Sequence, residues 1–206
     1  VDPYHPTGLV LNCQNYYFDE YSKGADYIME DAYPIGINAT FSKWGTPVNQ
    51  TYGDCGCDNC VGALSDVSDR LDDLDRYQTW LGRKHKPLWT VAQAFSGEGY
   101  WSHDPSPSEA CAMNLLGFNH NAKAVMSWLF PASNVLNQAH SAMAKVFAVD
   151  PVRHFILGGK PKRVHVPGSP LLDVAYWKQG QQMMVSLVNQ DYSSSDAVVT
   201  LSLPDE

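Results

Sequence analysis

The stretch Ala25-Asp-Tyr-Ile-Met-Glu-Asp-Ala-Tyr-Pro-Ile35 indicates both the fold class and the position of the site. It has the pattern of a short apolar strand that ends in two adjacent carboxylates, Glu30 and Asp31, before a Tyr-Pro pair stops it. In folds built from repeated strand-helix units, ligands gather at the carboxyl ends of the strands. The sequence therefore predicts that chemistry takes place where this strand ends.

Three further apolar runs flank this stretch, and each is followed by a helical pattern. They span residues 8–13, 86–95 and 122–129, and four successive strand-helix units predict a parallel sheet. An open nucleotide-binding sheet would carry a glycine-rich loop after its first strand, but Cys13-Gln-Asn-Tyr-Tyr17 stands there instead. We therefore expect an α/β fold of the (β/α)8 TIM-barrel type with about four βα units present, which another chain could complete.

The pattern changes after Asp150-Pro151. Short alternating or apolar runs, separated by Gly, Pro, Ser and Asp, follow at residues 163–166, 171–177, 183–189 and 197–203, as in a small antiparallel sheet. We divide the chain at this point into a domain of strand-helix units, residues 1–150, and a small all-β domain, residues 151–206.

Two acidic patterns are predicted to be structural. Ser106-Pro-Ser-Glu109 is a capping box with proline at the first helical position, so Glu109 is expected to cap a helix. The aspartates between Asp66 and Asp75 alternate with an apolar stripe, which predicts a solvated helix face.

Composition narrows the classes of partner. The net charge is −8 and Lys and Arg form no cluster, which argues against nucleic acid and anionic membranes. No apolar run reaches the length of a membrane span. We expect a neutral or cationic ligand, with no nucleic-acid or membrane partner.

Cysteines and glycosylation sequons favour a secreted glycoprotein. The sequons begin at Asn38 and Asn49 within one loop, and five cysteines are candidates for disulfides: Cys13, Cys55, Cys57, Cys60 and Cys111. Three closely spaced thiolates can also hold zinc, but no suitably spaced His accompanies them. We predict disulfides whose pairing the sequence leaves undetermined, and we expect no metal and no cofactor. Because the number of cysteines is odd, one is either a free thiol or pairs with a cysteine elsewhere.

Four segments together resemble the carboxyl-terminal half of a secreted, fungal-type (β/α)8 glycoside hydrolase and the start of its β-sandwich domain. They cover roughly residues 2–130 and are Asp2-Pro-Tyr-His-Pro-Thr-Gly8, the stretch quoted first, Pro87-Leu-Trp-Thr-Val-Ala-Gln-Ala-Phe95 and Ala122-Lys-Ala-Val-Met-Ser-Trp128. The resemblance implies that these are strands five to eight. It also implies that residues 1–150 are the carboxyl-terminal half of a (β/α)8-barrel catalytic domain and that residues 151–206 are a β-sandwich-like accessory domain. Strands one to four would then come from elsewhere, so we expect a second chain that supplies the other half, or a homodimer.

Hydrolysis of a glycosidic bond needs two carboxyl groups on either side of the bond. Neighbours on a strand point to opposite sides, so Glu30 and Asp31 supply only one of them. The resemblance places a catalytic carboxylate after strand seven in many such barrels, where this chain has Gln93, and after strand six in another group, where it has Asp31. Asp31 is our first candidate, as acid/base, and Glu30 the second; the alternative is that one or both are structural.

Amide and aromatic side chains near the strand ends suit carbohydrate, because amides bind hydroxyl groups and aromatic faces bind C–H surfaces. The expected substrate-binding residues are Asn12, Tyr33, Gln93, Trp101 and Trp128. The chain is thus predicted to be a glycoside hydrolase-like protein that uses carboxylates at barrel strand ends. The alternative is a non-catalytic, lectin-like glycan-binding protein on a degenerate barrel, which the amide at Gln93 favours.

Overall fold

The computed structural model describes residues 4–11, 16–37 and 60–193, together with positions 40, 41, 45, 47, 198, 200 and 201. Its first eight elements alternate: β1 (Gly8–Val10), α1 (Phe18–Lys23), β2 (Tyr27–Glu30), α2 (Ser65–Trp80), β3 (Leu88–Gln93), α3 (Pro107–Asn119), β4 (Ala122–Trp128) and α4 (Asn134–Phe147). Four elements follow them: α5 (Val152–Gly158), β5 (Lys162–Arg163), β6 (Leu172–Gln179) and β7 (Gln182–Asn189).

The first four strands form one parallel sheet in the order β1-β2-β3-β4. The prediction of a mixed α/β chain with a parallel sheet and alternating helices is confirmed. Within the described ranges, no strand pairs with the outer edge of β1 or of β4. A complete eight-stranded barrel therefore remains a prediction.

Successive side chains of a strand point to opposite faces of the parallel sheet, and the two faces differ in what packs against them. On one face, Ile28 and Leu88 pack against Leu71 and Leu74 of α2. Burying each such side chain contributes roughly 1.5–3 kcal/mol. The other face carries Met29 and Val91 and, next to Val91 in the register, the exposed Met126. Helices thus cover one face, and the opposite face is partly open.

Helix α3 lies very close to the sheet. A Cβ atom added at Gly117 would come within 2.5 Å of the Thr90 side chain on β3, so a larger residue there would push the helix away. Its start is fixed by the predicted capping box: Ser106 N donates to Glu109 Oε2 at 2.7 Å, and Glu109 N donates to Ser106 Oγ at 3.2 Å. The prediction that Glu109 is a cap is confirmed.

The antiparallel sheet, in the order β5-β6-β7, is separate from the parallel one and packs on α3 and α5. Phe118 of α3 shares a core with Phe155 of α5 and Trp177 of β6. The sequence analysis missed α5, although Val152, Phe155 and Ile156 have helical spacing. The first antiparallel strand was expected at residues 163–166, but β5 spans Lys162–Arg163, so only Arg163 of the expected range is in a strand. Most of the expected strand 197–203 lies outside the described residues.

The acidic face of α2 is not simply solvated, which corrects the prediction. Asp66 is buried and accepts hydrogen bonds from the backbone N–H groups of Val61, Gly62 and Ala63. Asp66 therefore holds the turn before α2, where unpaired N–H groups favour a carboxylate.

A buried histidine joins helix α2 to the antiparallel sheet. His120 ends α3; its Nδ1 lies 2.9 Å from Asp72 Oδ1 on α2, and its Nε2 lies 2.9 Å from Asp173 Oδ2 on β6. Burial alone lowers the pKa of His120, but the hydrogen bonds with Asp173 and Asp72 outweigh it and raise the pKa above 6.5. The imidazolium form therefore stabilises the contact between α2, α3 and β6.

We predict that His120→Gln lowers the free energy of unfolding by about 2 kcal/mol at pH 6 and by less at pH 9. The folded-state pKa of His120 is raised, so its contribution is complete below the unfolded pKa near 6.5 and is lost as pH rises through the folded pKa. Urea unfolding of the wild type and the variant at both pH values gives the difference in their free energies of unfolding. The other titrating groups are common to both proteins, so their contributions cancel in this difference. His154→Gln, at an exposed position on α5, is the control. A His120→Gln effect equal at both pH values contradicts this role.

Candidate active site at the ends of strands β2 to β4

The carboxyl ends of β2, β3 and β4 lie along one edge of the parallel sheet. Glu30 is the register partner of Thr90, and Gln93 is the partner of Trp128. Asp31 follows directly after β2. The structure therefore brings together the four described strand-end residues that the sequence analysis selected.

Glu30 is a buried carboxyl group that holds the backbone around it. It is 1% exposed, and it accepts hydrogen bonds at Oε2 from Ala32 N (2.8 Å) and at Oε1 from Val91 N (3.1 Å) and the Thr90 hydroxyl. Burial raises its pKa to about 8, although the bonds from Thr90 and Ala32 and the charge of Arg70 act in the opposite direction. The second catalytic candidate is thus enclosed within the protein and joins β2 to β3.

Asp31 has a different environment. It is 9% exposed, and its side chain shares a hydrogen bond with the Tyr33 hydroxyl. Burial raises the pKa of Asp31, while the Tyr33 bond and the charge of Arg70 lower it by less. A carboxyl group with a raised pKa keeps its proton nearer to neutral pH, which is what a general acid requires.

Tyr33 and Trp101 form an aromatic wall with Phe95 beside Asp31. Trp101 Nε1 donates to the Tyr33 carbonyl oxygen at 3.1 Å, and the rings of Tyr33 and Phe95 meet edge to face at 5.1 Å. Both predicted substrate contacts are buried. Burial also raises the pKa of Tyr33, so its hydroxyl stays protonated and is a donor to Asp31.

Gln93 is not available to a ligand, which corrects its predicted role. It is 0% exposed; its Oε1 accepts from Ile35 N at 2.9 Å, and its Nε2 donates to the carbonyl oxygens of Ile35 (3.0 Å) and Phe95 (3.1 Å). The amide therefore fixes the backbone that leaves β2, because it satisfies backbone groups that no strand pairs.

Trp128 is the accessible aromatic residue at this edge. It ends β4 and is 51% exposed. Its indole is therefore free to stack on the C–H face of a ring, and its role as a substrate contact stays a prediction.

The sequence analysis missed two residues that shape the site. Thr90 donates to Glu30, and Arg70 of α2 is buried and lowers the pKa of both Glu30 and Asp31. A signal for Arg70 was present: it lies three residues after Val67 and four before Leu74, on the apolar stripe of α2. A lone Arg on a buried face predicts a buried carboxylate partner.

Several predicted residues lie outside the described part of the chain: Asn12, Asn38, Asn49, Cys13, Cys55 and Cys57. Cys60 is buried and is not a free thiol, whereas Cys111 is free and so is not a disulfide partner here. Among the described residues, no group of three or more His, Cys, Asp or Glu side chains is arranged to hold a metal ion. Within the same ranges, none of the helices has both the length and the apolar character that a membrane crossing needs.

Comparison with known proteins identifies no relative. No family model matches the chain, and no curated protein or solved structure matches it either. The function is therefore inferred from the residues at the strand ends.

We predict that Gln93→Leu lowers the free energy of unfolding by about 3 kcal/mol, because the buried N–H and C=O groups of Ile35 lose their partners. Gln138→Leu, the same exchange at an exposed position of α4, should change it by less than about 0.5 kcal/mol. Urea unfolding of both variants measures this. Equal effects at the two positions would show that Gln93 is not a structural bridge.

Proposed function

We propose that this chain carries half of the active site of a glycoside hydrolase-like protein and that Asp31 is its acid/base residue. The substrate class is carbohydrate, and the reaction is hydrolysis of a glycosidic bond. The proposal includes secretion, which the two sequons and the cysteine content favour.

The observation that carries the proposal is the environment of Asp31. It lies directly after a parallel strand, its pKa is raised by burial, and its carboxyl group has the Tyr33 hydroxyl as a hydrogen-bond partner. A proton donor to a glycosidic oxygen needs this combination of a retained proton and a fixed position. The exposed Trp128 at the neighbouring strand end supplies a surface for a sugar ring.

The site is proposed to be half complete because Glu30 is already bonded to Ala32, Val91 and Thr90. A second carboxylate has to face Asp31 across the bond. We place it on further strand-helix units in a second chain, or in a second copy of this one. The outer edges of β1 and β4, unpaired within the described residues, are where such units would join, because open strand edges favour pairing.

A non-catalytic, lectin-like protein is the second candidate. It is favoured by the full engagement of Glu30 and Gln93, which leaves Asp31 as the available carboxylate among the described residues that end β2 and β3. Such a protein would bind glycans through Trp128 and Asp31 without cleaving them.

We predict that Asp31→Asn lowers kcat/KM on aryl glycosides by about 10²- to 10⁴-fold and leaves binding largely intact, because an amide cannot donate the acidic proton. In the wild type, kcat/KM should fall as pH rises through the raised pKa of Asp31, since the acid must be protonated. Glu20→Gln, at an exposed carboxylate on α1, is the control and should keep full activity. Binding without cleavage by the wild type in its native assembly, with both halves of the site present, would rule out the enzyme and support the lectin-like alternative.

We also predict that the protein sediments as a dimer or as a complex with a second chain. Pairing would cover the outer edges of β1 and β4, together with exposed apolar side chains such as Val10 and Met126. Analytical ultracentrifugation of native material measures the mass. A monodisperse species at the mass of one chain, 22.8 kDa, would contradict this prediction.

A further inference from the structure

A groove of about 420 Å³ lies on the helix-covered side of the parallel sheet, away from Asp31. Its floor is β4 and the end of α3, and its walls are α4 and α5. The lining is mainly apolar and includes Phe118, Val125, Met143, Phe147 and Ile156. Volume and lining are typical of sites that hold a small organic molecule.

Two polar side chains that line this groove, Asn114 and His140, each have a buried atom without a hydrogen-bond partner among the described residues. Asn114 lines it, is 2% exposed and has no hydrogen-bond partner for its Oδ1; its Nδ2 has only a weak acceptor, Met143 Sδ at 3.2 Å. His140 Nδ1 lies 3.2 Å from Ser127 Oγ, while its Nε2 is buried without a partner. Buried polar atoms are nearly always paired, so two unpaired ones on one groove indicate a ligand that pairs with them.

The groove favours an uncharged ligand. Burial lowers the pKa of His140, so its ring is neutral at pH 7. Lys123 Nζ is already bonded to the carbonyl oxygens of Ile156 (2.9 Å) and Gly159 (2.6 Å). Arg153 is paired with Asp150 at 3.1 Å. Because His140 is neutral and the charges of Lys123 and Arg153 already have partners, the groove does not require a negatively charged ligand.

We propose that this groove, the β4-α4-α5 groove, binds a small neutral molecule that has an aromatic or branched apolar body and a single hydroxyl group. The apolar body lies against Phe118, Met143 and Phe147. The hydroxyl group donates to Asn114 Oδ1 and also lies within reach of His140 Nε2. Phenol is the simplest molecule with these properties, and benzene is its matched analogue without the hydroxyl group.

The test follows the Met143 methyl group by NMR in the protein labelled with ¹³C-methyl methionine, with the signal assigned through Met143→Leu. Phenol should shift this signal saturably and bind at least about fivefold more tightly than benzene. Asn114→Leu, which preserves the volume, should remove the preference for phenol. Ala144→Phe fills the groove and should abolish binding of both probes, whereas Ala142→Phe, exposed on the same helix and outside the lining, should not.

Three results would overturn the proposal. The first is the absence of a saturable Met143 shift in the wild type, as expected if a protein segment occupies the groove. The second is equal affinity for phenol and benzene in the wild type, a comparison that does not depend on any variant folding. The third is a phenol preference that persists in Asn114→Leu.

Discussion

The buried carboxylate of Glu30 is the interaction on which the site depends. It accepts hydrogen bonds from the Ala32 and Val91 N–H groups and from the Thr90 hydroxyl, so it joins the end of β2 to the middle of β3. Gln93 lies two residues after Val91 on β3 and adds to this bridge. Its side chain hydrogen-bonds to both the N–H and the C=O of Ile35. Because the backbone is held on both sides of Asp31, this carboxyl group has a defined position although it lies where a strand becomes a loop. The polar side chains of Glu30 and Gln93 thus hold the backbone around Asp31.

The same region depends on the close approach of helices. Gly117 lets α3 lie against Thr90, and Arg70 of α2 brings a buried positive charge near Glu30 and Asp31. His120, three residues after Gly117 at the same end of α3, connects α2 to β6 through Asp72 and Asp173. Helix α3 therefore contacts both Thr90, which donates a hydrogen bond to Glu30, and the antiparallel sheet. Changes in the packing of α3 should be felt at the strand ends, since packed interiors transmit strain.

Sequence patterns predicted most strands and helices correctly, but they predicted the contacts of individual polar side chains less well. The four parallel strands, their helices and the Glu109 cap follow from local rules: apolar runs, helical spacing and a capping box. The roles of Glu30 and Gln93 did not follow, because both depend on contacts across about 60 residues that no local pattern encodes. Helix α5 was missed because the expectation of an antiparallel sheet outweighed a short helical stripe. The aspartates of α2 show the same limit, since Asp66 and Asp72 find partners outside the helix face.

The central claim is that Glu30 is enclosed and Asp31 is a proton-retaining acid beside it. Titration of ¹³C-labelled side-chain carboxyl groups by NMR tests this directly. The account predicts that Glu30 titrates with a pKa of about 8 and that Asp31 titrates above its ordinary value of 3.8. Titration of Glu30 near 4.5 and of Asp31 near 3.8, the values of solvated carboxyl groups, would contradict it.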